Sequence, residues 1–146
     1  MVSGQITAEG YVGIVPDITT DKSDPQRSLQ LALVAAQTAA DNRGRDIKVL
    51  DARKLTTLFD FLVIVTGTSR RQLHAMSEEI DHRLEDDMHD HRMGIEGYQE
   101  SRWIVLDYGS VVIHLFEEEA REYYNLEGLW ADAVDVDLSG LQLSTK

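Results

Sequence analysis

The chain has 146 residues, 42% hydrophobic and 27% charged, which suits one domain with a buried core and excludes a disordered chain. It has no cysteine, so disulfides, thiol nucleophiles and thiolate metal sites are excluded. Fourteen basic residues against 26 acidic give a net charge of −12, which repels phosphate backbones and disfavours direct nucleic-acid binding.

Residues 1 to 23 mix Gly, Thr, Ser and Asp without periodicity and are expected to form a variable, mobile extension. Met1 to Pro16 shows neither the charged start and apolar block of a secretory signal nor the Arg-rich character of a transit peptide. No apolar run approaches the roughly 18 residues of a membrane span. A reducing compartment such as a bacterial cytoplasm is the expectation. The domain is expected over residues 24–134, opening at Asp24-Pro25, an N-cap followed by Pro at the first helical position. Leu29, Ala32, Leu33, Ala36 and Ala40 predict the buried stripe of a helix ending at Asn42-Arg43-Gly44. Ile47 to Leu50 reads as a short strand and Phe61 to Val65 as a continuously apolar one.

Thr66-Gly67-Thr68-Ser69 leads into a second helix, with Ser69 and Gln72 at capping-box spacing. Leu73, Met76, Ile80, Leu84 and Met88 supply its buried stripe. His89 to Ser101 reads as a polar connection. Asp107-Tyr108-Gly109-Ser110 separates two apolar runs, Trp103–Leu106 and Val111–Phe116, and predicts a β-hairpin. A third helix is expected from Glu117–Glu119, whose carboxylates favour a helix start. Residues 135–146 read as an acidic tail in which order fades. The fold class predicted is α/β, a single domain with a mixed sheet of four or five strands and flanking helices. The Phe61 strand, the Ser69 helix and the Trp103 strand are expected to form one crossover.

Several clusters invite chemistry. Glu85 to His91 holds metal-ligand types, but it straddles a helix end, where solvated carboxylates and His are the commoner situation. Gly67-Thr68-Ser69 between strand and helix resembles the start of a nucleotidyltransferase site, which also needs strand-borne carboxylates to hold Mg²⁺. The Trp103 strand offers only Asp107, and Asp135-Val136-Asp137 lies far along the chain, so Ser69 reads as a plain N-cap and a metal-dependent nucleotidyltransferase is the second reading. His114 sits mid-strand without a nucleophile elbow and reads as a core histidine. Asp60 precedes an apolar strand and suits a turn cap, and Arg121 with Glu127 suits a structural pair that locks the third helix.

The hairpin is a different case. Its strands are apolar on both faces, so they are either covered on both sides or present a patch to a partner. Trp103, Leu106, Asp107 and Tyr108 have interface composition, although pattern alone fits a core Trp and a turn Tyr equally well.

Taken in order, several segments resemble the ribosomal silencing factor family, also called Iojap-related. They are Asp46–Asp51, Asp60–Ser69, Glu96-Gly97, Trp103–Gly109, His114-Leu115-Phe116 and Arg121–Trp130, the last containing Tyr124, Leu126 and Glu127. The likeness covers roughly Gln26 to Val134. Phe61-Leu62 replaces a frequent Tyr-Phe, and Glu118 replaces a frequent Pro. The resemblance implies a nucleotidyltransferase-like fold without catalysis, metal or cofactor. It also implies binding to ribosomal protein fourteen of the large subunit, which would block subunit joining when nutrients are scarce or a subunit is immature. Carried over, the contact patch is Trp103, Leu106, Asp107 and Tyr108, with Asp107 facing a basic partner. Self-association through the hairpin surface is a further possibility that the pattern leaves open.

Overall fold

The computed structural model describes residues 24–100 and 102–143, so the expected extension at 1–23 lies outside the described residues. Helix α1 (Pro25–Asp41) starts where its cap predicts, with the Asp24 carboxylate accepting from the Gln26 N–H at 3.0 Å. Its buried face is Ser28, Leu31, Ala32, Ala35, Ala36 and Ala39, so Leu29 and Leu33 fall at the margins of the stripe they were expected to centre. A face made mainly of alanine lets the helix lie close on a sheet, and Leu31 fills the remaining space. Helix α2 (Arg70–Met88) is capped by the Ser69 hydroxyl, which accepts from the Gln72 N–H at 3.1 Å. The reciprocal bond goes one residue earlier than a capping box requires, from the Thr68 N–H and hydroxyl to Gln72 Oε1. Leu73, Met76, Ile80 and Leu84 are fully enclosed, as their spacing predicts.

Six strands form one sheet: β1 (Arg45–Asp51), β2 (Phe61–Gly67), β3 (Gly94–Glu96), β4 (Trp103–Asp107), β5 (Val111–Glu117) and β6 (Val134–Asp135). Their spatial order is β3-β4-β5-β2-β1-β6, and β2–β5 is the parallel pair in an otherwise antiparallel ladder. The class is the α/β mixed sheet with flanking helices that the sequence predicts, with six strands among the described residues where four or five were expected. Three details differ. β3 forms inside the stretch read as a polar connection, because its backbone completes the outer ladder of β4. The strand parallel to β2 is β5, not β4: after α2 the chain enters the edge strand β3 and returns through β4, which pairs antiparallel on both sides, while the almost wholly buried β5 takes the centre. Chain order also persists beyond Val134. The Val136 N–H donates to Val49 O at 2.8 Å, Gln142 exchanges two hydrogen bonds with Gln37, and Val136, Leu138 and Leu141 pack on the core. Apolar residues spaced through the acidic tail hold it down.

The two faces of the sheet are covered unequally. Helices α1 and α2 lie on one face, over Val49, Phe61, Val63, Val65, Ile104, Leu106, Val111, Ile113 and Leu115. The other face carries Leu50, Leu62, Ile64 and Phe116, closed by Ala120 and Leu126 from the short helices α3 (Glu118–Tyr124) and α4 (Leu126–Leu129). These helices are too short to stand alone. Arg121 ties them down: its guanidinium bonds Asp46 O at 2.6 Å, Thr66 Oγ1 at 2.7 Å and Glu127 Oε2 at 2.7 Å. Its Nε–H also reaches both Glu127 oxygens, giving the expected Arg121–Glu127 pair and a clamp across β1, β2, α3 and α4. Arg121→Met should therefore cost on the order of 3 kcal/mol, because the half-buried Glu127 loses its partner. Urea denaturation of the two proteins measures the loss.

A half-open aromatic face on the hairpin

The β4–β5 hairpin closes through Asp107-Tyr108-Gly109-Ser110, with Gly109 at φ 84° and Asp107 Oδ1 accepting from the Gly109 N–H at 2.8 Å. Period-2 alternation then divides its side chains. Ile104, Leu106 and Tyr108 point under the helices, while Trp103, Val105 and Asp107 share the other face with Val112, His114 and Phe116.

That division corrects the contact patch expected from the sequence. Leu106 and Tyr108 are fully enclosed and belong to the core. The Tyr108 hydroxyl donates to Asp81 Oδ1 at 2.8 Å, and burial, with the Asp81 carboxylate beside it, pushes the phenol far above its ordinary range. Asp81 in turn pairs with Arg92 at 3.2 Å, so Tyr108 anchors the turn to α2. Trp103 and Asp107 do reach the surface, Trp103 half-buried and Asp107 exposed. Val105 and Val112, absent from the expected patch, are half-buried on the same face. Alternation counted from Trp103 would have found Val105 and excluded Leu106 and Tyr108, since a one-residue step reverses the face.

Trp103 is held in place by its neighbours. Its indole N–H donates to His114 Nδ1 at 3.0 Å, and its ring lies against Phe116 at 4.8 Å and Tyr124 at 4.7 Å between centroids. Accepting at Nδ1 requires an unprotonated nitrogen there, and burial lowers the His114 pKa to about 4. The imidazole is thus neutral at physiological pH and serves as an acceptor that sets the indole's tilt. Gly97 supports the same strand from β3's end: its φ is +76°, and a Cβ there would lie 2.0 Å from the Trp103 carbonyl oxygen. Glu96 is exposed on β3, opposite Val105.

The remaining motif residues are structural. Asp60 accepts from the Ser28 hydroxyl at 2.8 Å and joins β2's start to α1; burial raises its pKa despite that bond and nearby Arg53. Trp130 packs edge-on against Phe59 at 5.3 Å, and Leu126 is buried beneath it in the second core cluster. Ser69 is an N-cap, and the Thr68 N–H beside it is occupied by Gln72. Around Glu85 to His91 the side chains diverge, with His91 beside Glu85, His82 beside Asp86, and Asp90 turned inward to Arg27 at 3.2 Å. Among the described residues there is no group of three or more His, Asp or Glu placed to hold a metal ion. No helix among them is long and apolar enough to cross a membrane.

The family model described as "Ribosomal silencing factor during starvation" matches residues 25–146. The chain belongs to the ribosomal silencing factor family. It is 40% identical over 106 residues to the ribosomal silencing factor of Bacillus subtilis, covering 72% of this chain and 88% of that one. It is also 31% identical over 123 residues to the chloroplastic protein Iojap of Zea mays, covering 84% of this chain and 53% of that one. A crystal structure of a Chromobacterium violaceum protein superposes with a TM-score of 0.68 at 33% identity, over 70% of this chain and 85% of that one. Another, from Bacillus halodurans, gives 0.63 at 33%, over 77% and 99%. The family is named for silencing ribosomes during starvation.

Two measurements test this geometry. Tyr108→Phe removes a hydrogen bond to a carboxylate and should cost about 1.5–3 kcal/mol in denaturant unfolding. His114 contributes stability that is complete above pH 6.5, its unfolded value, and is lost as pH falls to about 4, its folded value. At 1.36 kcal/mol per unit the loss is about 3 kcal/mol. His114→Asn keeps an acceptor for the indole without titrating, so its stability should fall less steeply over that window; parallel curves for the two proteins would refute the role.

Proposed function

We propose that the chain silences translation by docking on the large ribosomal subunit through ribosomal protein fourteen, so that its bulk keeps the small subunit from joining. Family membership supports the ribosomal setting. The observation that carries the surface is the unequal covering of the sheet: under the hairpin the apolar face is sealed by α1 and α2, while Trp103, Val105 and Val112 on the opposite side are left half-covered beside an exposed Asp107. An apolar strip with an aromatic anchor and an acidic rim has the composition of an interface centre with a charged edge. The net charge of −12 steers such a face toward a basic protein and away from naked RNA.

The proposed patch is Trp103, Val105, Asp107 and Val112, with the buried Leu106 and Tyr108 supporting it from within. Asp107→Asn preserves the acceptor for the Gly109 N–H but removes the charge. It should slow association with the large subunit and flatten the salt dependence of the rate. Trp103→Ala should weaken binding by about 1–4 kcal/mol, with unfolding measured in parallel because the ring also packs on Phe116. Sedimentation of the protein with purified subunits tests the whole reading. Co-migration with the large subunit and loss of subunit joining is the expected result, and co-migration with the small subunit alone, or with neither, would overturn it.

A further inference from the structure

Next to the hairpin strip, where β4 begins, a groove of about 790 Å³ runs between the loop after Gly97 and helix α3. Its walls combine two properties. One is aromatic: Tyr123 is 82% exposed, meets Tyr124 edge-on at 5.0 Å between centroids, and Tyr124 leans on Trp103 at 4.7 Å. Exposing a large ring to that extent forgoes the burial that would stabilise it in the core. The other is acidic: Glu100, Glu119 and Glu122 line the groove with one cation, Arg102. Arg102 is itself held by Glu117 at 3.1 Å and by Glu119 at 3.7 Å, so its charge is already compensated.

We propose that this groove is an arginine-binding subsite, which receives a guanidinium side chain from a basic protein partner while the hairpin strip makes the main contact. A guanidinium is planar and weakly hydrated, stacks on aromatic faces and forks onto carboxylates. Tyr123 and Tyr124 offer the rings, and Glu100 and Glu122, neither of them paired with Arg102, the carboxylates, within one surface depression. A lysine ammonium would satisfy the charge but not the stacking. A nucleic acid is disfavoured by the same carboxylates that attract the cation. The inference rests on the reading of the chain as a factor that docks on a basic ribosomal protein, and it adds a second contact point and the chemistry that fills it.

The test is titration of the full chain with a tetra-arginine amide, followed by ¹H–¹⁵N NMR through the two indole N–H signals and the backbone amides. Saturable shifts confined to the Trp103 indole and to residues 97–103 and 119–124 are expected, with tetra-lysine amide binding at least fivefold more weakly. Tyr123→Ala and Glu122→Gln lie on exposed surface and should each weaken the arginine peptide by about fivefold without altering the thermal midpoint. Shifts spread evenly over the acidic surface, equal binding of the two peptides, or indifference of both variants would overturn the subsite. Subunit sedimentation with Tyr123→Ala separates the two readings. Wild-type co-migration with the large subunit, alongside an unresponsive groove, sinks the subsite alone. Arginine binding in the groove without any ribosome association sinks the docking reading alone.

Discussion

A sheet apolar on both faces needs two covers, and among the described residues the long helices cover only one. Everything distinctive in the structure follows from that shortage. The far side of β1 and β2 is closed by eleven residues of short helix in α3 and α4, which would fray without the Arg121 clamp. Their reach ends near Phe116 and Trp103, and among the described residues no further helix covers the outer half of the hairpin. The half-covered strip is thus a product of how far the C-terminal helices extend.

Most of the architecture was legible because local and global signals agree. Asp24-Pro25 and Ser69 start their helices, the Leu73–Leu84 stripe is buried, and Asp107–Ser110 turns the hairpin. The misreadings have physical causes. β3 has only three residues and takes its ladder partner from β4, so no local period announces it. The destination of the crossover depends on which strand tolerates burial on both faces, a property of the assembled sheet. The tail read as losing order because Asp132, Asp135 and Asp137 make it acidic, yet Val136, Leu138 and Leu141, at a spacing no helix or strand would repeat, pack on the core.

The contact patch shows the same limit at finer scale. Residue types around the hairpin and the family likeness both singled out Trp103, Leu106, Asp107 and Tyr108. Which of them face outward is a question of parity along β4, and Leu106 and Tyr108 lie on the even side. His114 was readable as a core histidine, but its task as acceptor for the indole depends on a diagonal meeting across two strands that no spacing rule specifies. Several motif residues, including Gly97, Arg121 and His114, turn out to serve the posture of Trp103 or of the helices beside it.

The two ends of the sheet carry one more consequence. β3 has three residues and β6 has two, so the ladder tapers at both margins. A foreign strand arriving at either border would find too few unpaired amides to establish a register, and fibrillar growth by strand addition has no template to start from. Blunt margins of this kind disfavour self-templated precipitation through the sheet edges.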